Sequence, residues 1–84
     1  MKLRVNLNIR IRLAGSDIEQ WTKTPILRTV RVINHSAVKI HRTVYTVTVD
    51  GHFAYLNWHE RQTYRMNLAQ WNAITSHVTQ VTPA

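Results

Sequence analysis

The sequence predicts an α+β fold, in which a four- to five-stranded antiparallel β-sheet has one C-terminal amphipathic helix packed on one face. Three observations predict it: apolar and polar residues alternate without a fault over residues 2–13, further β-rich runs are separated by turn residues, and a helical stripe lies near the C-terminus. The chain has 84 residues, so residues 1–84 are expected to form a single small basic domain.

The first strand is the clearest element. Its apolar face consists of Leu3, Val5, Leu7, Ile9, Ile11 and Leu13. Its polar face consists of Lys2, Arg4, Asn6, Asn8, Arg10 and Arg12. Alternation with period two is typical of a strand that is buried on one side only. We therefore expect the apolar face, from Val5 to Ile11, to lie in the core, with a row of positive charges on the exposed face.

Turn residues divide the centre of the chain. Ser16 and Glu19 have capping-box spacing, which predicts one helical turn through residues 16–21. Residues 26–33 are rich in β-branched side chains and predict a second strand. Residues 37–49 predict a long third strand, whose apolar phase changes near residues 42–44 as it would at a bulge.

Asp50 and Gly51 lie between two β-rich runs and predict a β-hairpin, since both residues accept the positive φ of a type I′ turn. A two-residue turn would place Val49 opposite His52. The predicted core face of this hairpin consists of Tyr45, Val47, Val49, Ala54, Leu56 and Trp58. The other face carries Phe53 and Tyr55 among threonines.

The end of the chain predicts a short fifth strand over residues 62–66 and then a helix, because Asn67 and Gln70 again have capping-box spacing. The apolar stripe of this helix is Leu68, Trp71, Ile74, Thr75, Val78 and Val81. No charged side chain follows Met66, and the opposite face carries Ala69, Gln70 and Ala73. An uncharged outer face predicts that a second copy covers the helix, as a homodimer.

The segment 66–74, with the sequence MNLAQWNAI, resembles the helix start of the positive cofactor four family of single-stranded-DNA-binding transcriptional coactivators, which contains a leucine and a glutamine–tryptophan pair. In that family a curved antiparallel sheet is followed by a helix that dimerises, and the resemblance implies the same arrangement here. It covers less than a fifth of the chain. The family's lysine- and glycine-rich stretch before the helix has no counterpart.

The charge balance indicates a polyanionic partner. Eleven Lys and Arg residues stand against four Asp and Glu residues, for a net charge of +7. Such an excess favours nucleic acid, either DNA or RNA, or an acidic protein surface.

Composition also bounds the location of the protein. The absence of cysteine excludes disulfides and thiolate zinc sites and agrees with a cytoplasmic location. No run of about 18 apolar residues occurs, so no membrane span is expected. Arg4, Arg10 and Arg12 interrupt what would be the apolar part of a signal peptide, and we expect no secretion signal.

The residues that catalysis needs do not occur in a recognisable pattern. Asp50 is expected in a turn and Asp17 and Glu19 at a helix start, so no pair of facing carboxylates is predicted. No two of the five histidines have metal-ligand spacing, and we expect neither a metal nor another cofactor. We therefore predict no catalytic site.

The leading hypothesis is a non-catalytic protein that binds nucleic acid through a basic β-sheet surface with weak sequence preference. The candidate binding residues are Lys2, Arg4, Arg10, Arg12, Arg42, Phe53, Tyr55, Arg61 and Arg65. Cations on one strand face, at steps of about 6.6–6.8 Å, would neutralise phosphates, and the two aromatic rings would stack on bases.

Two alternatives stay open. One is a small inhibitor or adaptor of the phage or mobile-element type, which would bind an acidic patch on a host protein. The other is a small ribonuclease, for which His41, Arg42 and His59 would have to converge as a general base and phosphate-binding cations.

Overall fold

The computed structural model describes residues 2–78, which form seven strands and one helix. The elements are β1 (Lys2–Arg12), β2 (Glu19–Trp21), β3 (Ile26–Asn34), β4 (Ala37–Ile40), β5 (Thr43–Val49), β6 (Phe53–Trp58), β7 (Arg61–Asn67) and α1 (Leu68–Thr75). The strands pair in the order β2-β1-β3-β4-β5-β6-β7, and every pair is antiparallel. Because β1 also pairs with β7, six strands close into a barrel, and β2 is an additional strand.

The predicted fold class, an open sheet of four to five strands with a helix on one face, is wrong. β1 pairs with β3 through residues 2–7 and with β7 through Asn8 and Ile9, so this one strand has partners on both of its edges. Closure removes the free edges that an open sheet would expose. The alternation of residues predicts which face of a strand is buried, but it carries no information on whether the first and last strands meet.

The barrel interior is the core. It is formed by Val5, Leu7, Val30, Val38, Ile40, Tyr45, Ala54, Leu56, Met66 and Trp71. The prediction that Val5 and Leu7 are core residues is confirmed, and Ile9 is half-buried. The prediction for Ile11 is wrong, because its side chain is 41% exposed where β1 continues past the barrel.

That continuation of β1 pairs with β2 to form a two-stranded ribbon. The helical turn predicted over residues 16–21 is wrong: Arg10 lies opposite Trp21, and Arg12 lies opposite Glu19. The Ser16 hydroxyl accepts a hydrogen bond from the backbone N–H of Ile18 at 3.0 Å, so it closes a tight turn and does not cap a helix. The ribbon thereby brings Trp21 and Glu19 beside Arg10.

The long strand predicted over residues 37–49 is two strands, β4 and β5, joined by a turn at His41 and Arg42. His41 has a φ of 57°, in the left-handed region that non-glycine residues occupy mainly in turns. The change of apolar phase in the sequence therefore marks a chain reversal, where a bulge was predicted.

The hairpin between β5 and β6 forms, but the predicted two-residue turn is wrong. Val49 lies opposite Ala54, so the register differs from the prediction by two residues. The Asp50 carboxylate accepts hydrogen bonds from the backbone N–H groups of His52, at 2.7 Å, and Phe53, at 2.8 Å, and so holds a wider loop. Because the shift is even, each side chain of β6 stays on the predicted face. The prediction that Val49 and Trp58 lie in the core is wrong, because each of them is 47% exposed.

The Asp50 carboxylate should make this hairpin sensitive to acid. The backbone N–H groups of His52 and Phe53 lower the pKa of Asp50. A lowered folded-state pKa stabilises the fold above the unfolded-state value, and this contribution is lost as the pH falls through the folded-state value. We expect the wild type to melt at a higher temperature than Asp50→Asn near pH 6, and the gap to close below about pH 4. A gap that is the same at every pH in thermal melts would contradict this assignment.

The helix α1 begins where the sequence predicts. The Asn67 side-chain oxygen accepts a hydrogen bond from the backbone N–H of Gln70 at 2.7 Å. The helix ends at Thr75, so the predicted stripe is too long: Val78 lies beyond the helix, and Val81 lies outside the described residues. At eight residues, this helix of the described chain is too short to cross a membrane.

The helix covers one end of the barrel. Trp71 is 4% exposed and belongs to the core. The Gln70 side chain, predicted on the outer face, accepts a hydrogen bond from the Asn6 backbone N–H at 3.0 Å and donates to the Asn6 carbonyl at 2.7 Å. The Gln70 side chain thus pairs with the backbone N–H and carbonyl of Asn6 as a neighbouring strand would. The pairing of β1 with β7 begins two residues later, at Asn8.

Candidate functional site

The structure distributes the candidate binding residues over separate parts of the outer surface. Lys2 and Arg4 lie on the half of β1 that pairs with β3, and Arg42 is exposed in the turn between β4 and β5. The remaining candidates lie near the β1–β2 ribbon and on β6 and β7: Arg10, Arg12, Phe53, Tyr55, Arg61 and Arg65. The structure therefore groups most of the predicted residues around one region and leaves three outside it.

Three aromatic rings form a row in that region. The Tyr55 ring lies between the other two, with its centroid 5.8 Å from that of Trp21 and 5.9 Å from that of Phe53. Tyr55 lies opposite Arg65 across β6 and β7, so these side chains point to the same outer face. We call Trp21, Phe53, Tyr55 and Arg65 the platform.

The Arg65 guanidinium ties the platform together. Its central carbon lies 3.9 Å from the centroid of the Phe53 ring and 4.7 Å from that of the Trp21 ring. The Arg10 guanidinium also approaches Trp21, at 5.9 Å. Planar, weakly hydrated guanidinium groups stack on aromatic faces in this way. All four platform residues are only partly buried, so each remains partly open to solvent.

Two polar atoms beneath the platform have no hydrogen-bond partner among the described residues. They are the Arg65 Nε donor and the Asn8 side-chain oxygen, and both are buried. Asn8 and Arg65 lie directly opposite each other on β1 and β7. An unpaired buried polar group costs about 1–3 kcal/mol, and such groups are uncommon in stable proteins. The stacking of the Arg65 guanidinium on Phe53 and Trp21 offsets part of this cost.

Glu19 neutralises part of the predicted cationic row. Its carboxylate lies 2.7 Å from Arg10 Nε, 3.6 Å from Arg12 Nη2 and 3.5 Å from Arg61 Nη2. Arg10 also donates to the side-chain oxygen of Gln62 at 3.1 Å. One carboxylate shared by three guanidinium groups leaves two positive charges here. The cations of β1 are therefore not one continuous row, because Arg10 and Arg12 have an ion pair whereas Lys2 and Arg4 have none within residues 2–78.

A polar groove borders the platform on the outer face of the barrel. Its walls are formed by Arg10, Glu19, Thr46, Thr48, Asn57, Glu60, Arg61 and Gln62. The Asn57 amide donates to the Thr48 hydroxyl at 2.8 Å. The groove therefore offers hydroxyl, amide and guanidinium groups beside the rings, together with the carboxylates of Glu19 and Glu60.

A second depression lies on the other side of β1 and is strongly basic. Lys2, Arg28, Arg31, Lys39 and His41 line it, and no carboxylate does. The Tyr45 and Tyr64 rings also line it and meet edge to face, with centroids 5.5 Å apart. Burial, followed by the neighbouring Tyr64, raises the pKa of the Tyr45 phenol above its ordinary value.

The histidines do not assemble into a visible catalytic or metal site. His41 and His59 occupy the β4–β5 and β6–β7 turns, which lie at the same end of the barrel. The His59 ring packs against Trp58 with centroids 4.3 Å apart, and within residues 2–78 no hydrogen bond joins it to His41 or Arg42. The same part of the chain holds no group of three possible metal ligands.

Sequence reasoning missed four residues of these surfaces. Trp21 and Glu19 were assigned to a helical turn, and only the pairing of β2 with β1 shows their place. Arg31 and Lys39 had a usable signal: a hairpin whose turn is centred on His35 places them opposite each other, as the structure does.

No known protein family, curated protein or solved structure matches this chain. The resemblance of residues 66–74 to the positive cofactor four family therefore stays confined to that segment. The structure has an antiparallel sheet followed by a helix, as the resemblance implies, and this sheet closes into a barrel. The function must be inferred from the chemistry of the surfaces.

Proposed function

We propose that this protein binds nucleic acid without catalysing a reaction, and that bases stack on the platform. The observation that supports the proposal is the position of the Arg65 guanidinium over both Phe53 and Trp21, with Tyr55 between the two rings. This arrangement presents three adjacent ring surfaces and a fixed cation on the outside of the barrel.

Stacking on these rings favours single strands. Bases in a duplex stack on each other, whereas unpaired bases are free to stack on protein side chains. Base–aromatic stacking contributes about 1–3 kcal/mol per base and tolerates any sequence, since every base has a π-face. Weak sequence preference follows from this mode of binding.

The arginines around Glu19 supply the attraction for phosphate. Arg10, Arg12 and Arg61 carry three positive charges against the two negative charges of Glu19 and Glu60, the carboxylates that line the groove. Guanidinium groups match phosphate geometry through paired N–H donors. The groove hydroxyls and amides, on Thr48 and Asn57, would contact the sugar or a base edge.

Replacing Tyr55 by Leu should test the platform. We expect the wild type to bind a single-stranded oligonucleotide more tightly than the duplex of the same sequence, with quenching of tryptophan fluorescence. Loss of one stacking ring should weaken single-strand binding by roughly 5- to 150-fold, the equivalent of about 1–3 kcal/mol. Trp58→Leu is the control, because Trp58 lies on the same strand outside the platform and is 47% exposed. Its affinity should stay within about twofold of the wild type.

Each other outcome points elsewhere. If the wild type binds neither DNA nor RNA at low salt, the proposal fails, and the inhibitor or adaptor of an acidic host protein becomes the leading hypothesis. RNA that is degraded during the titration would favour the ribonuclease. Equal losses for Tyr55→Leu and Trp58→Leu would show that the platform is not the binding surface.

The homodimer through the C-terminal helix and the cytoplasmic location stay predictions. Ala69 and Ala73 are exposed on α1, as a helix covered by a second copy requires. A dimer would present two platforms to one nucleic-acid strand.

A further inference from the structure

Three cations lie side by side across three strands on the outer face of the barrel. Lys2 lies opposite Arg31 in the pairing of β1 with β3, and Arg31 lies opposite Lys39 in the pairing of β3 with β4. Their sequence neighbours Val30 and Val38 are buried in the core, so the cations point outward. We call Lys2, Arg31 and Lys39 the cationic row.

The cationic row works against the stability of the fold. Side chains directly opposite each other have Cβ atoms about 4.5–5.5 Å apart, and like charges at this separation repel. Within residues 2–78 all salt bridges involve Glu19, and none reaches the row. The repulsion is therefore not offset by a neighbouring carboxylate.

The surroundings of the row are also basic. It borders the depression that Arg28 and His41 line, together with the hydroxyl-bearing residues Thr29 and Thr43. These residues supply hydrogen-bond donors and positive charges, and phosphate oxygens bind to groups of both kinds.

We propose that the cationic row binds the phosphate backbone of nucleic acid and is a second contact surface, separate from the platform. This inference rests on the proposed function. Both surfaces include β1: Arg10 reaches the platform near one end of the strand, and Lys2 lies at the other. Eight residues of strand span about 26 Å, so one nucleic-acid chain can contact both surfaces. Every phosphate of a nucleic-acid backbone carries the same negative charge, so the backbone matches a row that contains no acid. The rim of a protein interface mixes polar groups of different kinds and matches such a row less well.

The double variant Arg31→Gln/Lys39→Gln tests the row. For a single strand of about 16 nucleotides, the slope of log affinity against log salt should shrink by about 1.4, or 0.7 for each phosphate that the variant no longer neutralises. Tryptophan quenching at saturation should persist, because the platform is intact. An oligonucleotide of about 4 nucleotides, near the lower limit of single-strand site sizes, should bind the variant and the wild type alike, since it occupies the platform alone.

The control is Lys23→Gln, which removes one positive charge from an exposed residue that lies outside the row, the depression and the predicted binding residues. Its salt slope should equal that of the wild type. Decreases of equal size per charge removed in Lys23→Gln and Arg31→Gln/Lys39→Gln would show a general charge effect and overturn the row as a site, as would an unchanged slope in Arg31→Gln/Lys39→Gln. If the wild type does not bind nucleic acid, the proposal for the row and the proposed function both fail. If only the proposal for the row fails, Tyr55→Leu still tests the platform.

A second measurement is independent of nucleic acid. Relief of the cross-strand repulsion should raise the melting temperature of Arg31→Gln/Lys39→Gln above that of the control variant, by about 1–8 °C at low salt. A lower melting temperature would show that the row stabilises the barrel and would contradict a binding role for unpaired charge.

Discussion

Replacing Leu7 by Ala should lower the free energy of unfolding by about 2–5 kcal/mol. Leu7 is fully buried at 0% exposure, in the part of β1 that faces the barrel axis. Its backbone lies between strands that are hydrogen-bonded in a closed ring, so the surrounding residues cannot collapse into the space that the side chain leaves. A cavity therefore adds to the lost transfer free energy.

Ile11→Ala is the matched control for Leu7→Ala. Ile11 belongs to the same alternating face of β1, but it lies on the ribbon beyond the barrel and is 41% exposed. We expect a change of no more than about 1 kcal/mol, because truncation of a partly exposed side chain removes little buried apolar area. Urea unfolding of both variants measures the difference. Equal losses would show that the ribbon face is buried in solution and would contradict the exposed position of Ile11.

This pair of residues shows how far the sequence predicts the fold. The alternation in β1 correctly predicts a strand and the burial of Val5 and Leu7. It cannot separate Leu7 from Ile11, because burial depends on where β1 leaves the barrel. That point is set by the pairing of Asn8 and Ile9 with β7, between residues far apart in the chain.

Local turns were mispredicted for a different reason. At residues 16–19 and at Asp50, side-chain oxygens accept backbone hydrogen bonds and so create turns that composition alone does not distinguish from a helix cap or a two-residue hairpin. The error at Asp50 is harmless, because an even register shift keeps every side chain of β6 on its face. The error at residues 16–19 matters more, because a helical turn does not place Glu19 beside the cations of β1, whereas the pairing of β2 with β1 does.

The sequence predicts most residues of the candidate site, but it does not predict which of them are in contact. Phe53 and Tyr55 were assigned to one outer face beside arginines, and the structure groups them with Arg65. Trp21 joins them only because β2 folds back along β1. Contacts between side chains that are distant in the sequence depend on the closure of the barrel, which no local pattern encodes.

Replacing Glu19 by Gln should strengthen the binding of single-stranded nucleic acid. The carboxylate pairs with Arg10, Arg12 and Arg61, and it competes with phosphate for the same guanidinium groups. Its removal frees these groups and adds one positive charge to the groove. If the one guanidinium charge that Glu19 neutralises becomes available to phosphate, the slope of log affinity against log salt should steepen by about 0.7, the contribution of one contact on a single strand. This is roughly a threefold change in relative affinity between 50 and 200 mM salt.

The fold should tolerate the substitution of Glu19. Exposed ion pairs each contribute about 0–1 kcal/mol, and the ribbon keeps its backbone pairing with β1. The Glu19 side chain is 23% exposed, so the ion pairs are partly open to solvent and screened by salt. Thermal melts should therefore show a small loss, and the measured affinities will refer to a folded protein.

Asp17→Asn is the control for Glu19→Gln, because it adds the same charge two residues away, and Asp17 has no ion pair within the described chain. It should change the salt slope by much less than Glu19→Gln does. Equal increases for both variants would show that net charge alone governs binding. A loss of affinity for Glu19→Gln would show that the carboxylate holds the three arginines in the geometry that binds phosphate. The direction of the change thus decides whether Glu19 competes with the ligand or positions the residues that bind it.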